Sequence, residues 1–292
     1  MKSPKVLVFG GTRYFGKRLV ERMLEERWDI MIATRGQSVD SFGKRVKRFP
    51  MDREDDAAMQ RAANLGPWDI VYDQICYAPS DAAAACKVFK GKVGRYIHTS
   101  TQSVYRNDGL QQEADFDPSA EKMKIGRRSE FDYPTGKRLV EAVFAQSAAF
   151  PVTMMRIPIV LGPDDYTGRL EFHIDHVKQG KPIALKSLKS EASLISSQEA
   201  ANFLFWLSTK SIDGPINACS HGTITSEDMF PIIERSTGKK VILVPRDIDG
   251  DRSPIIDNVS RVLDASQAES FGFRFSQTKE WLSDLIREKC AK

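Results

Sequence analysis

What most limits the folds open to this chain is an alternation. Short apolar runs at 5–9, 29–34, 45–49, 69–75, 95–99 and 152–157 take turns with helical patterns at 16–26, 54–64, 80–90 and 133–147. Short runs that are apolar on both faces read as buried parallel strands. Strands that alternate with helices build a parallel, doubly wound sheet with right-handed crossovers. The expected fold class is therefore α/β: a Rossmann-like sheet over 1–163, then a smaller α/β lobe over 164–292 interleaved with it. In that second part the pattern changes to a helix at 170–179, short strands at 183–185 and 192–195, and helices at 197–208, 225–236 and 276–288.

The first strand runs into Gly10-Gly11-Thr12-Arg13-Tyr14-Phe15-Gly16. Gly10 permits a sharp turn, Gly16 lets the following helix pack close to the strand, and the helix N-terminus offers free N–H groups to a pyrophosphate. The middle glycine of a dinucleotide fingerprint is replaced by Arg13. The second strand ends in Thr34-Arg35-Gly36, with no carboxylate to bind a ribose 2′-hydroxyl. Arg35, helped by Arg13, suits a 2′-phosphate instead, so NADP is expected over NAD. Candidate cofactor contacts are Gly10, Thr12, Arg13, Tyr14, Phe15, Gly16 and Arg35, then Asp52, Gln74 and Thr99 at later strand ends. Asp52 is placed to reach an adenine amino group or to cap a helix. Tyr77, just beyond Gln74, reads better as core.

Tyr133 and Lys137 open a helical pattern at a spacing of four, which puts both on one helix face. An ammonium beside a phenol favours phenolate, and a phenol tuned that way exchanges protons near neutral pH. The strand before them ends in Thr99-Ser100-Thr101-Gln102-Ser103, hydroxyls at the edge where an open parallel sheet holds its ligand. Thr101 and Ser103 are candidate substrate contacts, as is His173 in the second part; a packed His173 is the competing reading. The long polar connection at 106–130 reads as a lid or a loose link. Its Lys122, Lys124, Arg127 and Arg128 suit substrate phosphates or a solvated face, and Arg246, Arg252 and Arg261 are candidate pyrophosphate ligands.

Together these segments resemble the short-chain dehydrogenase/reductase superfamily, in the extended or atypical branch that includes NAD(P)-dependent epimerase/dehydratase proteins. The resemblance rests on the glycine turn, on Thr-Ser-Thr-Gln-Ser-Val-Tyr at 99–105, on Tyr133 and Lys137, and on Arg-Ile-Pro-Ile-Val-Leu-Gly-Pro at 156–163. Pro215-Ile216-Asn217-Ala218 and the stretches at 263–266 and 271–273 add to it. It implies catalytic roles for Thr101, Tyr133 and Lys137, with Lys137 also on the cofactor ribose, and it places Pro158 near the nicotinamide. The substrate it implies is a nucleotide sugar. Family dehydratases carry Asp-Glu after the threonine; Gln102 and Ser103 stand here, which argues against dehydration and for a reductase, dehydrogenase or epimerase. Plant chloroplast proteins linked to RNA have a similar Gly-Gly-Thr-Arg turn, and other members are redox sensors. A binding protein, or a reductase of a non-sugar ketone, is the alternative.

The formal net charge of +4 against 82 Lys, Arg, Asp and Glu residues does not mark a nucleic-acid binder, though it suits an anionic substrate. The four cysteines have no metal or disulfide spacing and read as free thiols of a reducing compartment; no metal site is expected. No run approaches a membrane span and no signal peptide is evident, so the expected location is cytoplasmic. The resemblance also implies a homodimer paired through two helices, here those at about 81–90 and 133–148, whose small-residue runs at 82–85 and 147–149 permit close packing.

Overall fold

In the computed structural model, which describes residues 3–245 and 250–292, the chain runs β1 (Lys5–Phe9), α1 (Tyr14–Glu25), β2 (Asp29–Thr34), β3 (Lys47–Pro50), α2 (Asp56–Asn64), β4 (Trp68–Asp73), α3 (Pro79–Phe89) and β5 (Val93–Thr99). It continues through β6 (Gly109–Gln111), α4 (Tyr133–Ser147), β7 (Val152–Arg156), β8 (Ile159–Leu161), α5 (Arg169–Gln179), β9 (Pro182–Ala184) and β10 (Leu194–Ser196). The last elements are α6 (Ser197–Leu207), β11 (Gly214–Asn217), α7 (Ser226–Thr237), β12 (Ile242–Val244), β13 (Arg261–Leu263), α8 (Ser266–Ser270) and α9 (Thr278–Cys290). Two compact units result. The first holds Met1–Arg106, Glu113–Ile157 and Ala201–Asn217; the second holds Asn107–Gln112, Pro158–Ala200 and Ala218–Lys292.

The first unit is built on a seven-stranded sheet in the order β3-β2-β1-β4-β5-β7-β11, and every neighbouring pair is parallel. The chain winds outward from β1 to β3, then returns to β4 and winds the other way. That reversal falls between β1 and β4, and the carboxyl ends of strands at such a point are where open α/β sheets take their ligands. The strands are apolar because helices cover them: Leu7, Phe9, Met59, Val71, Phe89, Tyr96, Val140 and Phe144 lie in one buried cluster. α1 contributes Leu19, Val20 and Met23, spaced so that they share one face. Most elements fall within a few residues of their expected bounds, and α4 spans 133–147 as its pattern demands.

The second unit pairs its strands in twos, β8 with β10, β9 with β12 and β6 with β13, all parallel. Its core gathers Leu170, Ile174 and Val177 of α5, Met229 and Ile233 of α7, and Leu282, Leu285 and Ile286 of α9.

The connection at 106–130 departs from the sequence expectation of a loose link. In its first-unit part, Gln146 on α4 donates to the carbonyls of Pro118 and Glu121 at 2.9 and 2.8 Å, and Phe116 is buried. Backbone groups that a loop would leave to water are here bonded to the helix behind it.

Candidate active site

Gly10 has φ +86°, a region that L side chains rarely adopt, and a Cβ there would lie 2.9 Å from Ile75 Cγ2. A Cβ on Gly16 would lie 2.3 Å from both the Gly10 carbonyl oxygen and Gln74 Oε1. The missing middle glycine is tolerated because Arg13 is extended, at φ −135° and ψ 155°, and the left-handed residue is Tyr14 at φ 52°. Arg13, the residue just before α1, makes no side-chain cap, and the first turn holds no acidic residue. A helix N-terminus left in that state offers N–H donors and a positive dipole end to an anion. Gln74 Nε2 and Thr99 Oγ1 are buried without a hydrogen-bond partner among the described residues. An uncapped helix end, a glycine cradle and orphaned polar atoms fit a bound dinucleotide. Thr12 is buried in the same turn, Phe15 is half-buried and Arg13 is exposed.

Arg35 is exposed just past β2. The next acidic residue, Asp40, is held bidentately by Arg48 at 2.7 Å, which keeps its carboxyl below the ordinary range. Asp52 accepts from the Glu54 N–H at 3.0 Å, while the cap of α2 is Asp55, which accepts from Ala57 and Ala58. The capping alternative for Asp52 therefore passes to Asp55.

Tyr133 is the first residue of α4. Asp132 caps the helix by accepting the Thr135 N–H at 2.7 Å, and Pro134 fits the first turn because that turn needs no N–H. The tyrosine is 49% exposed; Lys137, one turn on, is 2% exposed. Lys137 Nζ donates to the carbonyls of Cys76 at 3.0 Å and Thr99 at 2.8 Å, and it lies 3.0 Å from His98 Nε2. It also sits 5.6 Å from the centre of the Tyr77 ring, whose centre is 6.5 Å from that of Tyr133. Burial pulls the Lys137 ammonium down to about 8, against the pull of nearby acidic groups. An ammonium has three donors. All three are engaged by protein groups, so contact with a ribose would require one of them to be released. Thr101 is buried at the end of β5, and its hydroxyl accepts the Ser103 N–H at 3.2 Å.

Two buried networks underpin this face, and hydropathy patterns do not reveal them. Arg156 and Glu141 are fully buried and paired at 2.6 Å. Ser100 donates to the same carboxylate, and Arg156 also donates to Tyr105 Oη, the Glu113 carbonyl and the Phe116 carbonyl. Arg53, buried after β3, binds Asp73 at the end of β4 at 2.9 Å, and Tyr96 donates to the same carboxylate oxygen. Burial opposes the Arg53 charge, but Asp73 outweighs it and the guanidinium is raised. The available signal was a charge inside an otherwise apolar face: Glu141 follows Lys137 by four residues, amid Leu139, Val140, Ala142 and Val143.

In the second unit, Pro158 is buried just before β8. His173 is wholly buried on α5, with Nδ1 2.9 Å from the Arg169 carbonyl and Nε2 2.8 Å from Ser253 Oγ. Neither nitrogen is left for a substrate, so the packed reading of His173 replaces the substrate contact. Arg252 pairs with Asp257 at 2.7 Å, and Arg261 lies 3.7 Å from the same carboxyl; Arg246 lies outside the described residues. Among the described residues no helix is long and apolar enough to cross a membrane, and no group of side chains is arranged to hold a metal ion.

A seven-stranded parallel sheet with a reversal beside β1 defines a Rossmann-like fold, and solved structures share it. The chain superposes on UDP-glucose 4-epimerase from Thermotoga maritima, solved with UDP-glucose, with a TM-score of 0.73 at 17% identity over 99% of this chain and 100% of that one. A putative epimerase from Burkholderia cenocepacia gives 0.75 at 17% identity over 99% of each chain. WbmG from Bordetella bronchiseptica, solved with NAD and UDP, gives 0.72 at 16% identity over 99% and 96%. The protein thus shares its fold with these solved proteins. No family model matches the sequence. Among curated proteins it is similar to the chloroplast stem-loop binding protein of 41 kDa b from Arabidopsis thaliana, at 24% identity over 192 residues. That match takes in 61% of this chain and 48% of the relative, so the chain spans about half the length of the curated protein it matches.

Proposed function

We propose that the protein is an NAD(P)-dependent oxidoreductase or epimerase acting on a keto or hydroxyl carbon of a nucleotide sugar, with Thr101, Tyr133 and Lys137 at its centre. The observation that carries this reading is the uncapped N-terminus of α1 over the Gly10–Gly16 cradle, which matches what a dinucleotide pyrophosphate needs. The bound cofactor supplies or accepts the hydride. The chain's own residues do the rest. Backbone N–H groups of α1 hold the pyrophosphate, and Arg35 and Arg13 favour NADP. The Thr101 hydroxyl orients the substrate oxygen, and the Tyr133 hydroxyl gives or takes its proton. The Lys137 ammonium stabilises the phenolate. Solved structures of the same fold with UDP-glucose, or with NAD and UDP, support a nucleotide sugar as substrate.

A second reading is RNA binding. Lys122, Lys124, Arg127 and Arg128 are all exposed, with Lys124 stacked 5.1 Å over Phe131 and Arg128 4.5 Å over Tyr77. Arg127 and Arg128 also line a cavity of about 540 Å³ with Arg53 and Lys87. The named function of the Arabidopsis relative points the same way.

One titration separates the two. NADPH, NADH and a panel of nucleotide sugars are added to the wild type and to Tyr133→Phe. The enzyme reading expects NADPH binding in both proteins and turnover lower by about 10²–10⁴ in the variant. Full activity in Tyr133→Phe would remove Tyr133 from the mechanism. Absence of dinucleotide binding, together with a steeply salt-dependent affinity for a stem-loop RNA, would favour the second reading.

A further inference from the structure

We propose that His98 is the positioning residue of this site: its unprotonated Nε2 closes a socket around the Lys137 ammonium and so holds that side chain in place and charged for its work beside Tyr133. The catalytic half of this inference rests on Tyr133 as the proton donor; the socket does not.

The three acceptors around Nζ are not equivalent. Two are main-chain carbonyls, of Cys76 and Thr99, which any sequence would supply. The third is a side chain on β5, fully buried and packed 5.4 Å from the Phe144 ring. With Lys137 charged, its three hydrogens all point outward as donors, so Nε2 can only accept. The ring proton then resides on Nδ1, which is buried and makes no hydrogen bond among the described residues. Burial and the neighbouring ammonium both hold His98 well below its ordinary range, so the acceptor persists into acid. The charged and titratable groups that face the pair come from every packed element. They are Asp73 and Cys76 from β4 and the segment after it, Arg53 from the segment before α2, Asp81 from α3 and Glu141 from α4.

An imidazole is a costly way to fill apolar space beside Phe144, because a buried polar ring needs partners. Its use here is the bond to Nζ. A hydrogen bond to the charged form favours that form. His98 therefore keeps Lys137 protonated in a place where burial opposes the charge. The ammonium meets the Tyr77 ring, which in turn packs against Tyr133.

The test begins on the wild-type protein, labelled at histidine and lysine and followed by NMR. His98 is expected neutral, with its proton on Nδ1, at neutral pH and well into the range where an ordinary histidine would be charged. Lys137 is expected to titrate near 8. Removing the acceptor in His98→Phe is expected to lower the proton affinity of Lys137 at least tenfold. In His98→Gln the amide oxygen can stand in for Nε2 and is expected to restore that affinity to within about threefold. The alkaline limb of kcat should move with the Lys137 midpoint across the three proteins, with KM changing less. A proton on Nε2 in the wild type overturns the proposal without any variant, and so does an unchanged Lys137 midpoint in His98→Phe. A protein that turns over no substrate, yet shows the Nδ1 proton and the shifted midpoint, would sink the oxidoreductase reading and leave the socket standing.

Discussion

Glu141→Gln isolates one charge in the network that joins α4 to β5 and β7. Glu141 accepts three of the hydrogen bonds made by Arg156, at 3.1, 3.2 and 2.6 Å, and a fourth from Ser100. The glutamine keeps the shape but removes the charge, and it turns an N–H donor toward a guanidinium that has only donors. Arg156 cannot respond by losing its proton, because a guanidinium is basic enough to stay charged even where burial opposes it. Breaking a buried pair in this way costs about 3–5 kcal/mol. At roughly 2–4 °C per kcal/mol for a chain of this class, the melting temperature should fall by about 10 °C. The assay is urea unfolding followed by circular dichroism and by fluorescence, whose transitions must coincide for a free energy to be extracted. The double variant Glu141→Leu/Arg156→Met should be more stable than Glu141→Gln, because an apolar pair needs no compensation. A loss below about 1 kcal/mol in the single variant, or a double variant less stable than the single one, would refute this account of the network.

Two further outcomes follow from the geometry. Gly16→Ala should abolish dinucleotide binding and lower stability, since its Cβ would meet a backbone oxygen that cannot move aside; a variant that binds NADPH normally would show the cradle to be wider than described. His173 is lowered by burial from 6.5 to about 4, so the unfolded chain binds the extra proton and stability falls as pH drops from about 6.5 toward 4. The loss reaches about 3 kcal/mol at most and should shrink in His173→Asn; denaturant midpoints measured across that window give the slope, and equal slopes in both proteins would exclude His173 as its source.

Elements were easier to read from the sequence than partners. The strand bounds of β1 and β2 and the span of α4 are legible because apolar period and turn residues are local properties. The Tyr133–Lys137 spacing was legible for the same reason, but not that Lys137 turns inward, because the carbonyls that capture it lie on β5 and beyond β4. Arg53 and Asp73 stand 20 residues apart, and Arg156 and Glu141 stand 15 apart. Each of these charges looks solvated until the chain brings its partner to it. His173 illustrates the converse: a histidine on a helix that pattern alone leaves open between ligand and packing is settled by two contacts, one of them on a distant loop.

The place of β11 in the chain has a consequence for biosynthesis. It is the outermost strand of the main sheet, paired to β7, yet the ribosome delivers it only after β8, β9 and β10 have been made. Until then β7 presents a bare row of backbone donors and acceptors, flanked by apolar Val152, Met154 and Met155, which is a template for pairing with another nascent chain. Aggregation during expression should therefore be most acute for fragments that end between 157 and 213, and it should ease once Gly214–Asn217 is included.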